Sequence, residues 1–316
     1  MAGVVVVKPG MLTTVQDRGR WGQQGSGVPV GGPMDAVSHR IANRVLGNDD
    51  DAATLEVTLI GPELLFEEGA VVAVCGAEFP LRVDGAPAPM WGPIEVRAGA
   101  RMTFGARVHG ARAYCAFAGG IPCEPVLGSR ATNLVAHMGP FGGRALTAGD
   151  RLPLAPERPT AVEELPAGTL KGRVTPIVPL PQGGARLRVM WGPQEHLFAD
   201  AAREVLTSSR YVVTPQSNRM GYRLDGPRLA HRDSADILSD ATPHGTLQVP
   251  GSGQPILLMA DRQTAGGYPK IATVITADLA LAGQLAPGDW VAFAACDRRT
   301  AIGALRDQEG LLSGAR

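Results

Sequence analysis

Residues 260–270 concentrate the side chains best suited to chemistry on an amide. Asp261 can accept or relay a proton. Arg262 and Lys270 can bind a carboxylate or carbonate. Gln263 and Thr264 can hydrogen-bond an amide edge. Gly266 and Gly267 let backbone N–H groups approach a ligand, because no Cβ stands in the way. Tyr268 offers a ring that stacks and a hydroxyl that donates. A simple chain reversal needs only about two to five residues. A longer polar loop therefore reads either as a site or as an extended turn whose glycines serve the turn alone.

The elements that must position this loop are strands. Residues 255–259 form an apolar run of strand length, and residues 271–276 are rich in β-branched side chains. Three other segments carry polar groups of interest. In residues 217–224, Arg219 can grip a carboxylate at two points, while Asn218 suits either a site or a tight turn. Gln248 lies on the expected strand 246–249, facing opposite to Leu247 and Val249, where it lines a cavity or an exposed barrel face. Nearby His244, beside Gly245, reads as a turn residue rather than a general base. Near the N-terminus, Gln16 and Asp17 precede Arg18-Gly19-Arg20, either a surface turn with local ion pairs or part of a site. Glycines then lead into a helix expected over 35–46. Asp35 suits its N-cap, Val37, Ile41 and Val45 recur every four residues, and Gly47 suits its end. Asp35 at the cap competes with any anion there, so it orients a neighbour.

Composition narrows the function classes. Thirty basic and thirty acidic residues cancel, no basic cluster stands out, and aromatics make up 5%. Nothing in that balance recruits nucleic acid or an anionic membrane. The run 4–7 is too short for a signal-peptide core, and no apolar run approaches the ~20 residues that span a bilayer, so a cytoplasmic protein is expected. The four cysteines show no CxxC spacing and the six histidines no HxH or HExxH pattern. Buried thiols, and no metal site, are expected. No GxxxxGK[ST] phosphate loop and no GxSxG elbow occurs.

The 41 glycines and 26 prolines punctuate short Val/Ile/Leu runs, as in a mostly β protein of barrels or sandwiches with few helices. A second helix is expected over 194–206. Residues 61–66 resemble 192–198, and 146–152 resemble 285–291, a weak hint of internal duplication. Seven prolines between 153 and 184 read as a linker, and residues 296–316 as a tail with at most a short helix.

Taken together, these segments resemble a known family. Thr13-Thr14-Val15-Gln16-Asp17-Arg18-Gly19-Arg20-Trp21-Gly22, the stretch 27–35, Gly119-Gly120-Ile121, the stretches 127–132 and 217–224, Gln248-Val249-Pro250, the loop 260–270 and Leu285-Ala286-Pro287-Gly288-Asp289 follow in order. They are similar to the allophanate hydrolase subunit 2 family, also described as KipA-like or biotin-dependent carboxyltransferases, over residues 4–295. The resemblance implies two cyclophilin-like β-barrel domains, here 1–152 and 185–295, joined by the linker 153–184 and followed by the tail 296–316. It favours shape or site roles for Gln16, Asp17 and Asp35. It implies a subunit of a multi-component, ATP-dependent 5-oxoprolinase, which opens the lactam of 5-oxoproline to glutamate. The implied partners are a KipI-like protein (allophanate hydrolase subunit 1) and a LamB/YcsF-like subunit. An alternative is the carboxyltransferase subunit of a biotin-dependent urea carboxylase. Another is a regulatory module that antagonises a KipI-like kinase inhibitor. The sequence has no Met-Lys-Met biotin-carrier context, so ATP or carboxybiotin is expected in the assembled enzyme and neither on this chain alone. In either enzyme, Asp261, Arg262 and Lys270 are the expected catalytic residues. Gln263, Thr264, Gly266, Gly267, Tyr268, Gln248, Asn218, Arg219, Gln16, Asp17 and Asp35 are expected around the substrate.

Overall fold

The computed structural model describes residues 3–156, 158–166 and 174–314. The chain is mostly β, as expected, and divides into two compact units. The first comprises Met1–Arg20, Gly31–Leu180 and Gly310–Arg316. The second comprises Trp21–Val30 and Pro181–Glu309.

In the first unit, a six-stranded sheet runs in the order Arg151–Pro153, Gly3–Lys8, Glu63–Phe66, Arg101–Phe104, Leu81–Val83, Ala86–Ala88. A five-stranded sheet runs Leu12–Gln16, Thr54–Thr58, His109–Phe117, Ala70–Glu78, Pro93–Val96. The two sheets meet through the rings of Phe66 and Phe117, 6.3 Å apart. Within the apolar strand Ala70–Glu78 every residue but the last is buried, as befits a strand covered on both faces. Helix Ala36–Val45 packs on it and on His109–Phe117. The register slips where Gly76 meets Ala113. A Cβ on Gly76 would stand 2.4 Å from the Arg112 carbonyl oxygen, so only glycine fits this irregularity.

The second unit is a closed seven-stranded barrel. Its order is Gly184–Trp191, Lys270–Val274, Thr246–Gln248, Ile256–Leu258, Gly221–Asp225, Arg210–Val213, Trp290–Ala295. A parallel pairing of the last strand with the first closes the ring, and every other pair is antiparallel. Closure removes exposed edges. Leu187, Val189, Leu247, Leu257, Ile271 and Phe293 are completely buried.

Two local expectations fail. The helix expected over 194–206 is broken into a 3₁₀ turn, Glu195–Leu197, and a helix, Ala202–Ser208. Phe198 forms a β-bridge to His231, and the Ala199 N–H donates to the Ala230 carbonyl, which pulls the chain out of the helix. The expected tail is instead a 17-residue helix, Arg298–Gly314. Its glycines, Gly303 and Gly310, have open space around them and cost only propensity. No described helix is long and apolar enough to cross a membrane.

Candidate active site

The loop singled out from sequence is a crossover. Strands Ile256–Leu258 and Lys270–Val274 both pair antiparallel with Thr246–Gln248, one on each side. They are therefore parallel to each other, and the chain between them must cross the strand they share. This crossing explains why Thr246, Leu247 and Gln248 are all buried, where a barrel strand ordinarily alternates. It also excludes the exposed-face reading of Gln248. The Gln248 Oε1 accepts from Gln263 Nε2 at 3.1 Å, and its Nε2 donates to the Tyr268 carbonyl at 3.4 Å. A register shift between Leu247 and Gln248 places Gln248 opposite Lys270. Bulges of this kind re-aim side chains beside functional sites.

At one end of the crossover sits a buried ion pair. Arg219 precedes strand Gly221–Asp225 and Asp261 follows strand Ile256–Leu258. Gly221 pairs with Leu258, so both residues leave the barrel on the same side. Arg219 Nε and Nη2 donate to Asp261 Oδ2 and Oδ1 at 2.9 and 3.0 Å, and the Asp261 N–H donates to the Arg219 carbonyl at 2.9 Å. The two residues are 4% and 2% exposed. Both oxygens of Asp261 are thus engaged, and the residue anchors the loop. Asn218 is exposed and shapes the preceding turn, its Oδ1 accepting from Met220 N–H at 2.8 Å.

At the other end stands Lys270. It opens a strand rather than lying in the loop, and it is 2% exposed. Its Nζ donates to Asp240 Oδ2 at 2.7 Å, and Asp240 is half open to solvent. That ammonium, with smaller help from the Ala241 N–H and Gln194, holds the Asp240 carboxyl below the usual range. Gln194 bridges the pair: its Oε1 accepts from Lys270 N–H at 3.3 Å and its Nε2 donates to Asp240 at 3.4 Å. A lysine held this way presents a desolvated positive charge against a carboxylate that reaches water. Such a pair can stabilise charge on a substrate oxygen and move a proton to solvent.

Between the two ends, Ala265–Gly266 pairs with Asp240–Ala241 as a short ladder. A Cβ on Gly266 would lie 2.7 Å from Gln248 Nε2, so this glycine admits a side chain rather than a ligand. Gly267 receives a hydrogen bond from Ile237 N–H at its carbonyl, 2.9 Å. Tyr268 is 41% exposed. Arg262 Nε donates to the Thr242 carbonyl at 2.8 Å, and Nη1 reaches the Met259 carbonyl at 3.5 Å. Burial draws its pKa down, against a smaller opposing effect of the Asp261 charge. Arg262, Gln263 and Thr264, with Gln24, Val30, Ala241, Thr242 and Pro243, line a cleft of about 230 Å³. The His244 Nε2 is shut off from solvent and has no partner among the described residues. Desolvation, then the charges of Arg262 and Arg219, push its pKa down to about 3, so the imidazole is neutral at physiological pH.

Gln16, Asp17 and Asp35 belong to the first unit and bind its backbone. Gln16 Nε2 donates to Thr14 Oγ1 and the Thr132 carbonyl, both at 3.0 Å. Asp17 accepts from Gly19 N–H at 2.9 Å, Ser129 Oγ at 2.5 Å and Arg130 N–H. Asp35 caps helix Ala36–Val45, accepting from Val37 N–H, Ser38 N–H and Ser38 Oγ at 3.0, 2.9 and 2.6 Å. Beside it Glu56 Oε2 accepts from Met34 N–H and Tyr114 Oη, both at 2.8 Å. Sequence reasoning did not single out Asp240, Gln194, Gln24 or Thr242 as site residues. Asp240 was legible only as a carboxylate near a turn; its lysine lies 30 residues away.

Comparison with known proteins agrees with this architecture. The model of the carboxyltransferase domain, subdomain A and B, matches residues 26–295 and so includes the whole crossover. A 5-oxoprolinase subunit of Escherichia coli is 38% identical over 304 residues, covering 96% of this chain and 94% of the relative. The urea amidolyase of Lachancea kluyveri is 35% identical over 305 residues, covering 91% of this chain and 16% of that much longer protein. The crystal structure of the Kluyveromyces lactis urea carboxylase superposes with a TM-score of 0.92 at 33% identity, over the whole of this chain and 29% of its own. The chain belongs to the carboxyltransferase family of subdomains A and B.

Proposed function

We propose that this chain is a subunit of a 5-oxoprolinase, which opens the lactam of 5-oxoproline to glutamate with ATP, and that the crossover loop forms its site. The observation that carries this reading is the end-to-end match to the Escherichia coli 5-oxoprolinase subunit. The resemblance further implies a KipI-like partner and a LamB/YcsF-like one.

The chemistry suits a planar amide whose oxygen gains charge as its carbonyl carbon is attacked, before the C–N bond breaks. Lys270 stabilises that charge, an effect of ~3 kcal/mol for a good donor. Asp240, facing solvent beside Lys270, stays ionised and holds that ammonium in place. Gln248 and Gln263 form a half-buried amide pair that reads a lactam or ureido edge. The Arg219–Asp261 pair holds the loop's first turn in place. The cleft at Arg262, about 230 Å³, is of a size for a small amide, and the residues around it bind and polarise that amide.

A second reading, the carboxyltransferase subunit of a urea carboxylase, is favoured by the family model and by the likeness to the Kluyveromyces lactis enzyme. Co-expression with KipI-like and LamB/YcsF-like proteins separates the two. Glutamate formed from 5-oxoproline in an ATP-dependent manner supports the first. Carboxylation of urea with a biotinylated carrier, and no lactam opening, overturns it.

A further inference from the structure

The three cations of the crossover are not equivalent. Arg219 has Asp261 and Lys270 has Asp240, each at direct hydrogen-bond distance. Arg262 has two carbonyl oxygens and, among the described residues, no carboxylate within 4 Å. The nearby Asp261 charge reaches it only across space, because both Asp261 oxygens face Arg219. The cluster therefore carries one positive charge in excess. His244 neither adds to nor cancels it, being held neutral by burial and by those same guanidiniums. A mostly buried guanidinium without a counter-ion is costly, and an incoming anion relieves that cost.

The cleft beside Arg262 has the matching chemistry. Gln24 Oε1 accepts from Gly22 N–H at 2.8 Å, which leaves the amide's NH₂ as the group with donors to offer. Thr264 also lines the cleft. Val30 and Pro243 supply apolar sides. No acidic residue lines the cleft. Donors, one uncompensated guanidinium and about 230 Å³ describe a receptor for one small carboxylate, held at two points by the planar guanidinium.

We infer that the Arg262 cleft is a carboxylate subsite, which selects small acids over neutral amides. The inference rests on the proposed function only in identifying that acid as the substrate's own carboxylate: 5-oxoproline has one, and urea does not. Specificity for an acid then resides in Arg262.

Calorimetric titration of the full chain tests this with four probes: 5-oxoproline, 2-pyrrolidinone (the same ring without the carboxylate), acetate and inorganic phosphate. The expected result is binding of 5-oxoproline at least tenfold tighter than 2-pyrrolidinone, with weaker binding of acetate. In Arg262→Gln that preference disappears, and Arg262→Lys restores part of it. Equal affinity for the two lactams, no binding by either, or a preference unchanged in Arg262→Gln overturns the inference. The lactam pair tests the wild-type chain alone, so the inference stays exposed even if the variant fails to fold. Phosphate binding tighter than 5-oxoproline overturns the carboxylate assignment in favour of a phosphate site. If 5-oxoproline binds through Arg262 while the assembled enzyme opens no lactam, the subsite stands and the proposed function falls. If lactam opening occurs but Arg262→Gln leaves KM and kcat intact, the reverse holds.

Discussion

Two polar clusters, one in each unit, use the same residue types toward different ends. In the first unit the carboxylates of Asp17, Asp35 and Glu56 accept largely from backbone N–H groups and hydroxyls. Such an acid fixes the path of the chain and leaves little capacity for a ligand. In the second unit Asp261 and Asp240 meet cations side chain to side chain, one pair buried and the other half open. A cleft lies beside them, with a cation that only carbonyls satisfy. The comparison teaches that burial of charge does not by itself mark a site. What distinguishes the second cluster is a cation with no carboxylate partner beside a cleft.

The sharpest way to break the comparison is to unpair the buried ions. Asp261→Ala removes the carboxylate from Arg219, only 4% of which reaches solvent. Removing one partner of a buried pair costs ~3–5 kcal/mol, so a large fall in Tm is expected. The double variant Asp261→Leu with Arg219→Met should recover most of it. A single variant as stable as the parent would show that the pair is solvated.

A smaller effect follows from two of the six histidines, His39 in the first unit and His244 in the second. Burial pushes the His39 pKa down to about 4 and that of His244 to about 3. An unfolded histidine takes its proton near 6.5, so below that pH the unfolded chain binds more protons than the folded one. The stability each contributes is complete above about pH 6.5 and is lost as pH falls toward the folded value. Denaturant melts at pH 7 and pH 5 should differ by on the order of 2 kcal/mol per buried histidine. A His39→Gln variant should lose its share of that slope, since Thr54 Oγ1 and the Asp50 carbonyl can still be bridged by an amide. A flat profile between the two pH values would contradict the neutral, buried state of both rings.

The smallest effect sharpens the structural side. Asp35→Ala removes the cap of helix Ala36–Val45 and should cost about 1 kcal/mol. Asp35→Asn should cost less, because its side-chain oxygen still accepts from Val37 and Ser38. Neither variant should change how the second unit binds its ligand. A binding defect in Asp35→Asn at unchanged Tm would bring the first cluster into the site.

Much of this was legible in the sequence for local reasons. The mostly β class follows from short apolar runs between turn residues, and helix Ala36–Val45 from its cap and its four-residue repeat. The loop 260–270 declared itself by its polar content. Its path did not, because a crossover is visible only once both flanking strands are known to pair with Thr246–Gln248. Nor did the partners: Arg219 is 42 residues from Asp261 and Lys270 is 30 from Asp240, and no local pattern encodes such pairings. Gln248 illustrates the limit. Strand alternation gave its facing, but only the loop lying over it shows why both faces are dry. The 298–314 segment shows the opposite error, where glycine and arginine content masked a helix whose Leu312 is completely buried.

The central claim, that the charge poised for chemistry lies in the crossover cluster, is tested most directly by Lys270→Ala in the assembled enzyme. Turnover of 5-oxoproline is measured beside a thermal melt, with Asp35→Asn as the control from the first unit. The account predicts a loss of at least tenfold for Lys270→Ala, which corresponds to ~1.4 kcal/mol of transition-state stabilisation, with a folded protein that still joins its partners and near-parental turnover in the control. Full turnover in Lys270→Ala, or an equal loss in both variants, would contradict it.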